Sequence, residues 1–275
     1  MPWVPVLKRV LASRAALLFS LARMTRMTLV INLACKIVAV LLFSSSKWTA
    51  AAFFFGPDAY LAYHLFVPSA QGLVRVWTRV DSGRREVWLT IDDGPDERDT
   101  PRILDVLEQH GARATFFLVG ERAARHPELI SEIVRRGHEV AHHTHTHPVG
   151  TFWAATPSRV ARELDDCLAV LATAGVRPRW FRAPAGIKNL FLRPALGGRG
   201  LACVAWSVRG FDSVSRDPEQ VAARILSRVG PGAIILLHEG ANLDPRVRVE
   251  AISRVLAGLR IRNLDCVLPL EGQLR

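Results

Sequence analysis

The sequence predicts an α/β fold, a distorted (β/α) barrel of TIM type with about seven parallel strands and an apolar, basic N-terminal appendage. From Arg84 onward, seven apolar and β-branched runs alternate with five segments that carry apolar residues at three- and four-residue steps. Such alternation indicates strands joined by helices in a parallel sheet, and closing that sheet gives a barrel. An open doubly wound sheet is the alternative.

The predicted elements follow one another with short loops between them. The strands, in order, are EVWLTIDD, RATFFLVG, HEVAHHTH, WFRAP, CVAWSV, AIILLHEG and DCVLPL. The helices between them are TPRILDVLEQH, HPELISEIVRRG, SRVARELDDCLAVLATAG, DPEQVAARILSRV and VEAISRVLAGLR. The strands are short β-type runs, whereas each helix repeats its apolar residues with a helical period.

Composition and charge narrow the function classes. The 275 residues are 49% apolar and 22% charged, which is typical of a globular protein rather than a disordered one. Of the net charge of +11, a net +8 lies in residues 1–80, where nine Lys and Arg residues accompany one acid. This asymmetry favours a basic arm at an anionic membrane surface over nucleic-acid binding, because aromatic residues are not interleaved with the basic ones.

Polar residues follow several predicted strands at the point where each strand ends. Asp92 and Asp93 end the first strand, histidines end the third, Arg182 ends the fourth and His238 ends AIILLH. In a (β/α) barrel the carboxyl ends of the strands form one rim, and the reactive groups lie at that rim. Taken alone, Arg182 could form a strand-end salt bridge, and His238 could be a buried histidine with its hydrogen bonds satisfied. Because all these residues lie at strand ends, however, we favour a functional site.

The segment GHEVAHHTHTHP holds five histidines and predicts a metal site. His143 and His147, spaced i,i+4, can meet on one metal if the chain turns helical after the strand. Two histidines and one carboxylate are suitable zinc ligands that leave a position for water. One aspartate can then ligate the metal while its neighbour accepts a proton from the attacking water. The four cysteines show no C-x-x-C spacing, which excludes a cysteine zinc site.

The ordered motifs resemble those of the polysaccharide deacetylases with a NodB homology domain, carbohydrate esterase family 4. TIDDGP is similar to the family's T-F-D-D-G-P, HTHTH to H-[ST]-x-x-H, FRAPAG to R-x-P-x-G, WSVRGFD to D-x-x-D-W and LLHEG to L-x-H. The resemblance implies a hydrolase of carbon–nitrogen bonds other than peptide bonds, which removes an acyl group, expected to be acetyl, from an amino sugar in a glycan. Removal of a formyl or acetyl group from a lipid-linked amino sugar, or an inactive carbohydrate-binding relative, are the alternatives.

The resemblance also implies roles for the matching residues. One divalent metal ion, expected to be zinc, would be held by Asp93, His143 and His147. Asp92 would be the general base and His238 the general acid, with Arg182 orienting the base and Asp212 orienting the histidine. The predicted catalytic residues are therefore Asp92, His238, Arg182 and Asp212.

The substrate-binding residues implied in the same way are Pro184, Ala185, Leu236 and Arg209. The backbone N–H near Ala185 would help to stabilise the oxyanion, and Leu236 would line the pocket for the acyl methyl group. Arg209 stands where the family usually has Asp, and Ser213 where it has the Trp that walls the sugar groove. A guanidinium suits carboxylate or phosphate, so we expect a preference for an anionic substrate, unless Arg209 pairs with Asp212 or Glu239.

The sequence is divided at residue 80, into an N-terminal segment, 1–80, and a deacetylase domain, 81–275. The segment contains TLVINLACKIVAVLLF, preceded by basic residues, and resembles an uncleaved membrane anchor. Because Lys36 and Asn32 oppose insertion, interfacial helices are the alternative, and a cleaved signal peptide would require translation to start at Met24 or Met27. We expect a membrane-associated cell-envelope protein whose catalytic domain lies outside the cytoplasm and works without residues 1–80.

Overall fold

In the computed structural model the described residues are 27–28, 30–240 and 244–275. The basic residues before position 27, on which the membrane-anchor prediction partly depends, lie outside these ranges. The strands of the described part are β1 (Val76–Trp77), β2 (Glu86–Gly94), β3 (Ala114–Leu118), β4 (Glu139–His142), β5 (Trp180–Phe181), β6 (Ala202–Val204), β7 (Val208–Arg209), β8 (Ile234–His238) and β9 (Asp265–Cys266).

The helices surround this sheet and precede it. They are α1 (30–42), α2 (Lys47–Phe66), α3 (Thr100–Gln109), α4 (Gly120–Arg125), α5 (Pro127–Arg135), α6 (Pro157–Thr173), α7 (Leu192–Gly197), α8 (Pro218–Leu226) and α9 (Pro245–Ile261). Thr156 caps α6 and Asp217 caps α8 through their side-chain oxygens. All five predicted helices are present, whereas α4 and α7 are too short to give a clear periodic pattern.

The strands form one parallel sheet in the order β1-β6-β5-β4-β3-β2-β8-β7, with β9 paired to the start of β2. The predicted barrel of parallel strands is therefore confirmed. The prediction of CVAWSV as one strand is wrong, because β6 lies between β1 and β5 whereas β7 lies at the other end of the order, beside β8. The short connection between them crosses the seam of the barrel: Ala205 N–H donates to Trp77 and Ser207 N–H donates to Ile234.

Side chains along each strand point alternately to the outer face of the barrel, which the helices cover, and to its interior. In β2, Val87, Leu89 and Ile91 face the surrounding helices and belong to the largest apolar cluster. Trp88 belongs to a second cluster inside the barrel, together with Phe117, Trp180 and Ile234. Because side chains alternate with period two, the residues two and four positions beyond an inward apolar residue also face inward. These inward-facing residues continue along each strand to the rim of the barrel, where the strands end.

The chain before residue 81 is part of the folded unit. β1 pairs with β6, and Val74 and Val76 are buried in an apolar cluster with Phe181. Lys188 is buried, its backbone N–H donates to Leu65, and its ammonium donates to the carbonyls of Val67 and Pro68. The boundary predicted at residue 80 therefore cuts through a segment that the barrel holds.

The helices α1 and α2 form an antiparallel hairpin that precedes this segment. Asn32 on α1 donates to Asp58 on α2 over 2.6 Å, and the ammonium of Lys36 lies 3.1 Å from the same carboxylate. Ala39 and Ala50 are the buried small residues of the two helices. Within the described residues, no helix has the length and apolar character needed to cross a membrane.

Candidate active site

Four of the predicted site residues reach the rim through strand alternation alone. Asp92 lies four positions beyond Trp88 in β2, and in the register of the sheet it is the partner of His238 at the end of β8. Arg182 lies two positions beyond the inward Trp180, and His143 two positions beyond the inward Ala141. The structure therefore brings these four residues together at the carboxyl ends of neighbouring strands, as predicted.

Asp93 reaches the same site through a break in the strand. Consecutive residues of a regular strand point to opposite faces, so Asp92 and Asp93 would be separated by the sheet. A register shift between Asp92 and Gly94 and a positive φ of 71° at Asp93 change the direction of the second side chain. The bulge is what allows both carboxylates to face one site.

The loop 143–147 presents two histidines without forming a helix. The helical turn that would allow His143 and His147 to meet is not formed; positive φ values at Thr144 (64°) and His147 (54°) turn the chain instead. Glu163 of α6 stabilises this loop by accepting from the N–H groups of His145 and Thr146 and, over 2.6 Å, from the Thr146 hydroxyl. Glu163 was not among the predicted site residues, since a carboxylate on a helix carries no signal of a partner so distant in sequence.

The donor atoms of Asp93, His143 and His147 lie within 4.8 Å of one another. Asp93 Oδ1 is 3.4 Å from His143 Nε2 and 3.1 Å from His147 Nε2. Two ligand atoms about 2.1 Å from a tetrahedral zinc are about 3.4 Å apart, so the three groups fit such an ion. His143 donates its Nδ1–H to the carbonyl of Arg182 over 2.8 Å, which leaves Nε2 as the ligand atom.

The protonation states also suit a cation. Burial acts to raise the pKa of Asp93, but the hydrogen bond and charges of His143 and His147 outweigh it and hold that pKa far below its ordinary value. Burial, together with the charge of His143, lowers the pKa of His147 to about 4. A ligating carboxylate must be ionised and a ligating imidazole neutral, and both conditions hold at neutral pH.

The other histidines of the tract point elsewhere. His142 is fully buried on the outer face of β4, with its Nε2 3.0 Å from the carbonyl of Leu164 in α6. His138 accepts from the backbone N–H of Ala114, and His145 packs against Gly120. The selection of His143 and His147 from the five is therefore consistent with the geometry.

Arg182 holds Asp92 in a fixed orientation. The guanidinium is fully buried and donates to Asp92 Oδ1 over 2.6 Å and to Thr90 Oγ1 over 2.8 Å. It also donates to the carbonyls of Val204 and Ala205. These bonds use one Asp92 oxygen, while the other, Oδ2, lies 3.7 Å from His143 Nε2 and faces the site.

His238 is paired with Asp212 in the same way. Asp212 Oδ2 accepts from the backbone N–H of His238 over 2.7 Å, and Oδ1 lies 3.0 Å from its Nδ1. Burial lowers the pKa of His238, but the charge of Asp212 and its hydrogen bond outweigh this and raise it to about 9. The imidazole is therefore protonated at neutral pH, with Nδ1 on Asp212 and Nε2 directed into the site.

The predicted substrate-binding residues lie around this centre. Leu236 is buried in β8, two positions before His238 on the same inward face. Pro184 is buried and Ala185 is exposed at a φ of 51°, in the turn that follows β5. The Ala185 backbone thus lies at the mouth of the barrel, where the resemblance requires a main-chain donor.

Arg209 is exposed and does not pair with either acid that could neutralise it. Asp212 binds His238, and the buried Glu239 accepts from the Thr100 hydroxyl. The Arg209 guanidinium instead lies 4.2 Å from the ring centroid of Phe211 and 5.8 Å from that of Trp206. These two rings supply aromatic surface beside the Arg209 guanidinium.

Comparison with known proteins assigns the chain to a protein family. The family model described as polysaccharide deacetylase matches residues 79–202. A chitooligosaccharide deacetylase from Bradyrhizobium sp. (strain ANU 289) is 42% identical over 191 residues, which cover 68% of this chain and 85% of that protein. The chain belongs to the polysaccharide deacetylase family.

Further members of the family agree with this assignment. A peptidoglycan-N-acetylglucosamine deacetylase from Bacillus cereus is 32% identical over 182 residues, covering 66% of this chain and 65% of that protein. A family 4 carbohydrate esterase from Streptomyces lividans, solved in complex with acetate, aligns with a TM-score of 0.61 at 33% identity, over 66% of this chain and 92% of that one. The predicted family and the prediction of a hydrolase are confirmed.

Proposed function

We propose that this polysaccharide deacetylase hydrolyses the N-acetyl group of N-acetylglucosamine units in a glycan, with one divalent ion held by Asp93, His143 and His147. One observation carries the proposal. The donor set for the ion, the carboxylate Asp92 held by a buried arginine and the protonated His238 all meet at one rim of the barrel. A binding protein without activity would have no need of this complete set.

The ion, when bound, would polarise the acyl carbonyl and lower the pKa of the attacking water. Asp92 accepts the proton of that water through Oδ2, since Oδ1 is occupied by Arg182. The water oxygen forms a bond to the acyl carbon, and the bond between that carbon and the sugar nitrogen breaks. His238 Nε2 delivers its proton to the departing nitrogen, so that the products are acetate and a free amine.

Two buried pairs keep these proton carriers ready. The guanidinium of Arg182 lies 2.6 Å from Asp92 Oδ1 and places a positive charge beside the base. Asp212 stabilises protonated His238 by the opposite charge. The base is thus held by a cation and the acid by an anion, which suits their opposite tasks in the hydrolysis of an amide.

The substrate class follows from the relatives together with this site. The proteins named above act on chitooligosaccharide and on N-acetylglucosamine of peptidoglycan. Both are chains that carry an acetamido group, and the apolar Leu236 beside His238 would accommodate the acetyl methyl. Zinc is the ion we expect, because a carboxylate with two imidazoles is a suitable ligand set for it.

The decisive experiment measures acetate released from N-acetylated chitooligosaccharides and peptidoglycan fragments, before and after chelation and again after divalent metals are restored. We expect metal-dependent release. Absence of acetate from every substrate, in a protein shown by elemental analysis to hold its metal, would refute the proposed reaction.

The variant Asp92→Asn tests the assignment of the base. The amide keeps the shape of the side chain but cannot take the proton, so we expect metal content to stay constant while turnover falls about 10²- to 10⁴-fold. Loss of the metal in place of turnover would mean that the roles of Asp92 and Asp93 are reversed.

A further inference from the structure

The α1–α2 hairpin exposes many large apolar side chains, whereas few of its residues are buried. On α1 the exposed residues share one broad face; they are Val30, Ile31, Leu33, Ile37, Val40 and Leu41. On α2, Ala50 and Leu65 are the buried residues, whereas Trp48 at the tip of the hairpin is 88% exposed. A helix in water shows the reverse arrangement, so this surface is built to be covered.

The charged and polar groups of the hairpin are arranged to enter an apolar environment together. Asp58 on α2 accepts from Asn32 and pairs with Lys36 on α1, so each of these groups has its partner within the hairpin. The Lys36 ammonium also lies 5.4 Å from the ring centroid of Phe54. A paired set costs less to move out of water than three separate polar groups.

The net charge of the N-terminal residues indicates which kind of partner covers the apolar surface of the hairpin. Residues 1–80 contain nine Lys and Arg residues and one acid, and that acid is Asp58, already paired within the hairpin. A second copy of the chain would bring the same positive charge and be repelled, whereas an anionic lipid surface would be attracted. Trp48, Tyr60 and Tyr63 are exposed amphipathic rings of the kind that lie at the headgroup level of a bilayer.

We propose that the α1–α2 hairpin docks this deacetylase on an anionic lipid bilayer, with the apolar face of α1 and the tip around Trp48 inserted among the headgroups. An apolar face and a set of basic residues together supply the two contributions that stable attachment to a bilayer surface requires. The hairpin lies on the membrane and does not cross it.

The hairpin joins the rest of the folded unit near the catalytic rim. α2 ends at Phe66, whose ring is 5.9 Å from that of Trp153, just beyond the metal-binding loop. Pro68, two residues after Phe66, packs on Gly186 in the turn that carries Ala185. The hairpin that we propose to dock on the bilayer is therefore connected to the elements that form the mouth of the site.

Sedimentation of the full chain with vesicles tests the proposal without any use of turnover. We expect binding to vesicles of phosphatidylcholine with phosphatidylglycerol that is stronger than binding to phosphatidylcholine alone and is weakened by salt. Leu41→Asp and Trp48→Asp should each reduce the affinity about tenfold or more, because each removes one large apolar side chain from the lipid. Ile261→Asp is the matched control, since Ile261 is 81% exposed on α9, outside the hairpin, and should leave binding unchanged.

A second measurement uses a variant that preserves the fold. In vesicles with brominated lipid, the tryptophan fluorescence of the wild type should be quenched, and Trp48→Phe should lose most of that quenching while still binding. The proposal is overturned if the protein binds neither kind of vesicle. It is equally overturned if the tip variants bind as well as the control, or if they abolish a dimer in sedimentation velocity without affecting vesicle binding.

Discussion

Replacing Asp212 by Asn should lower the pKa of His238 and move the basic limb of the pH profile. In the wild type the carboxylate raises that pKa to about 9 against the opposing effect of burial. The amide removes the charge but leaves the burial, so the pKa should fall to the ordinary value of 6.5 or below. The acid must be protonated to act, and a lower pKa means that its proton is lost at a lower pH.

The expected size of this effect follows from the two pKa values. At pH 7.5 a histidine with a pKa of about 9 is almost entirely protonated, whereas one with a pKa of about 6.5 is about one-tenth protonated. We therefore expect kcat/KM at pH 7.5 to fall about tenfold or more, with recovery towards acidic pH. A bound cation lowers the pKa of a nearby histidine in both proteins, so the shift between them should persist in the loaded enzyme.

The assay has two parts. NMR titration of His238 in the metal-free protein measures the pKa directly, and the pH dependence of kcat/KM measures its effect on activity. Asp217→Asn is the matched control, because Asp217 caps α8 at an exposed position and does not contact His238. A titration of His238 near pH 9 in Asp212→Asn, or a basic limb that does not move, would refute the ion-pair explanation.

Three further outcomes are expected. His147→Ala should lower metal affinity by at least tenfold in a chelator competition while His145→Ala should not, and equal losses would contradict the assigned ligand set. Arg209→Ala should reduce kcat/KM for an anionic glycan more than for a matched neutral one, and equal losses would make Arg209 structural. Lys188→Met removes the ammonium that donates to the carbonyls of Val67 and Pro68 beside the Ala185 turn. We therefore expect kcat to fall about tenfold with unchanged metal content and to recover in part in Lys188→Arg, whereas full activity would show that this segment does not position the turn.

The sequence by itself determined the fold class and most of the site. Alternation of strand and helix patterns led to the parallel barrel, because hydrophobic periodicity is a local property of the chain. The same alternation places Asp92, His143, Arg182 and His238 on the inner face at the rim, since each lies an even number of residues beyond an inward apolar residue. The ordered motifs supplied the family, which the comparisons confirm.

The tertiary structure alone decided the features that depend on departures from regular geometry. The bulge at Asp93 and the left-handed residues Thr144 and His147 are stabilised by neighbouring elements, and Glu163 reaches its loop from α6. The separation of β6 from β7, with Trp206 between them, requires the closure of the whole barrel. Because these conformations are selected by contacts between residues far apart in the chain, no local pattern could have indicated them.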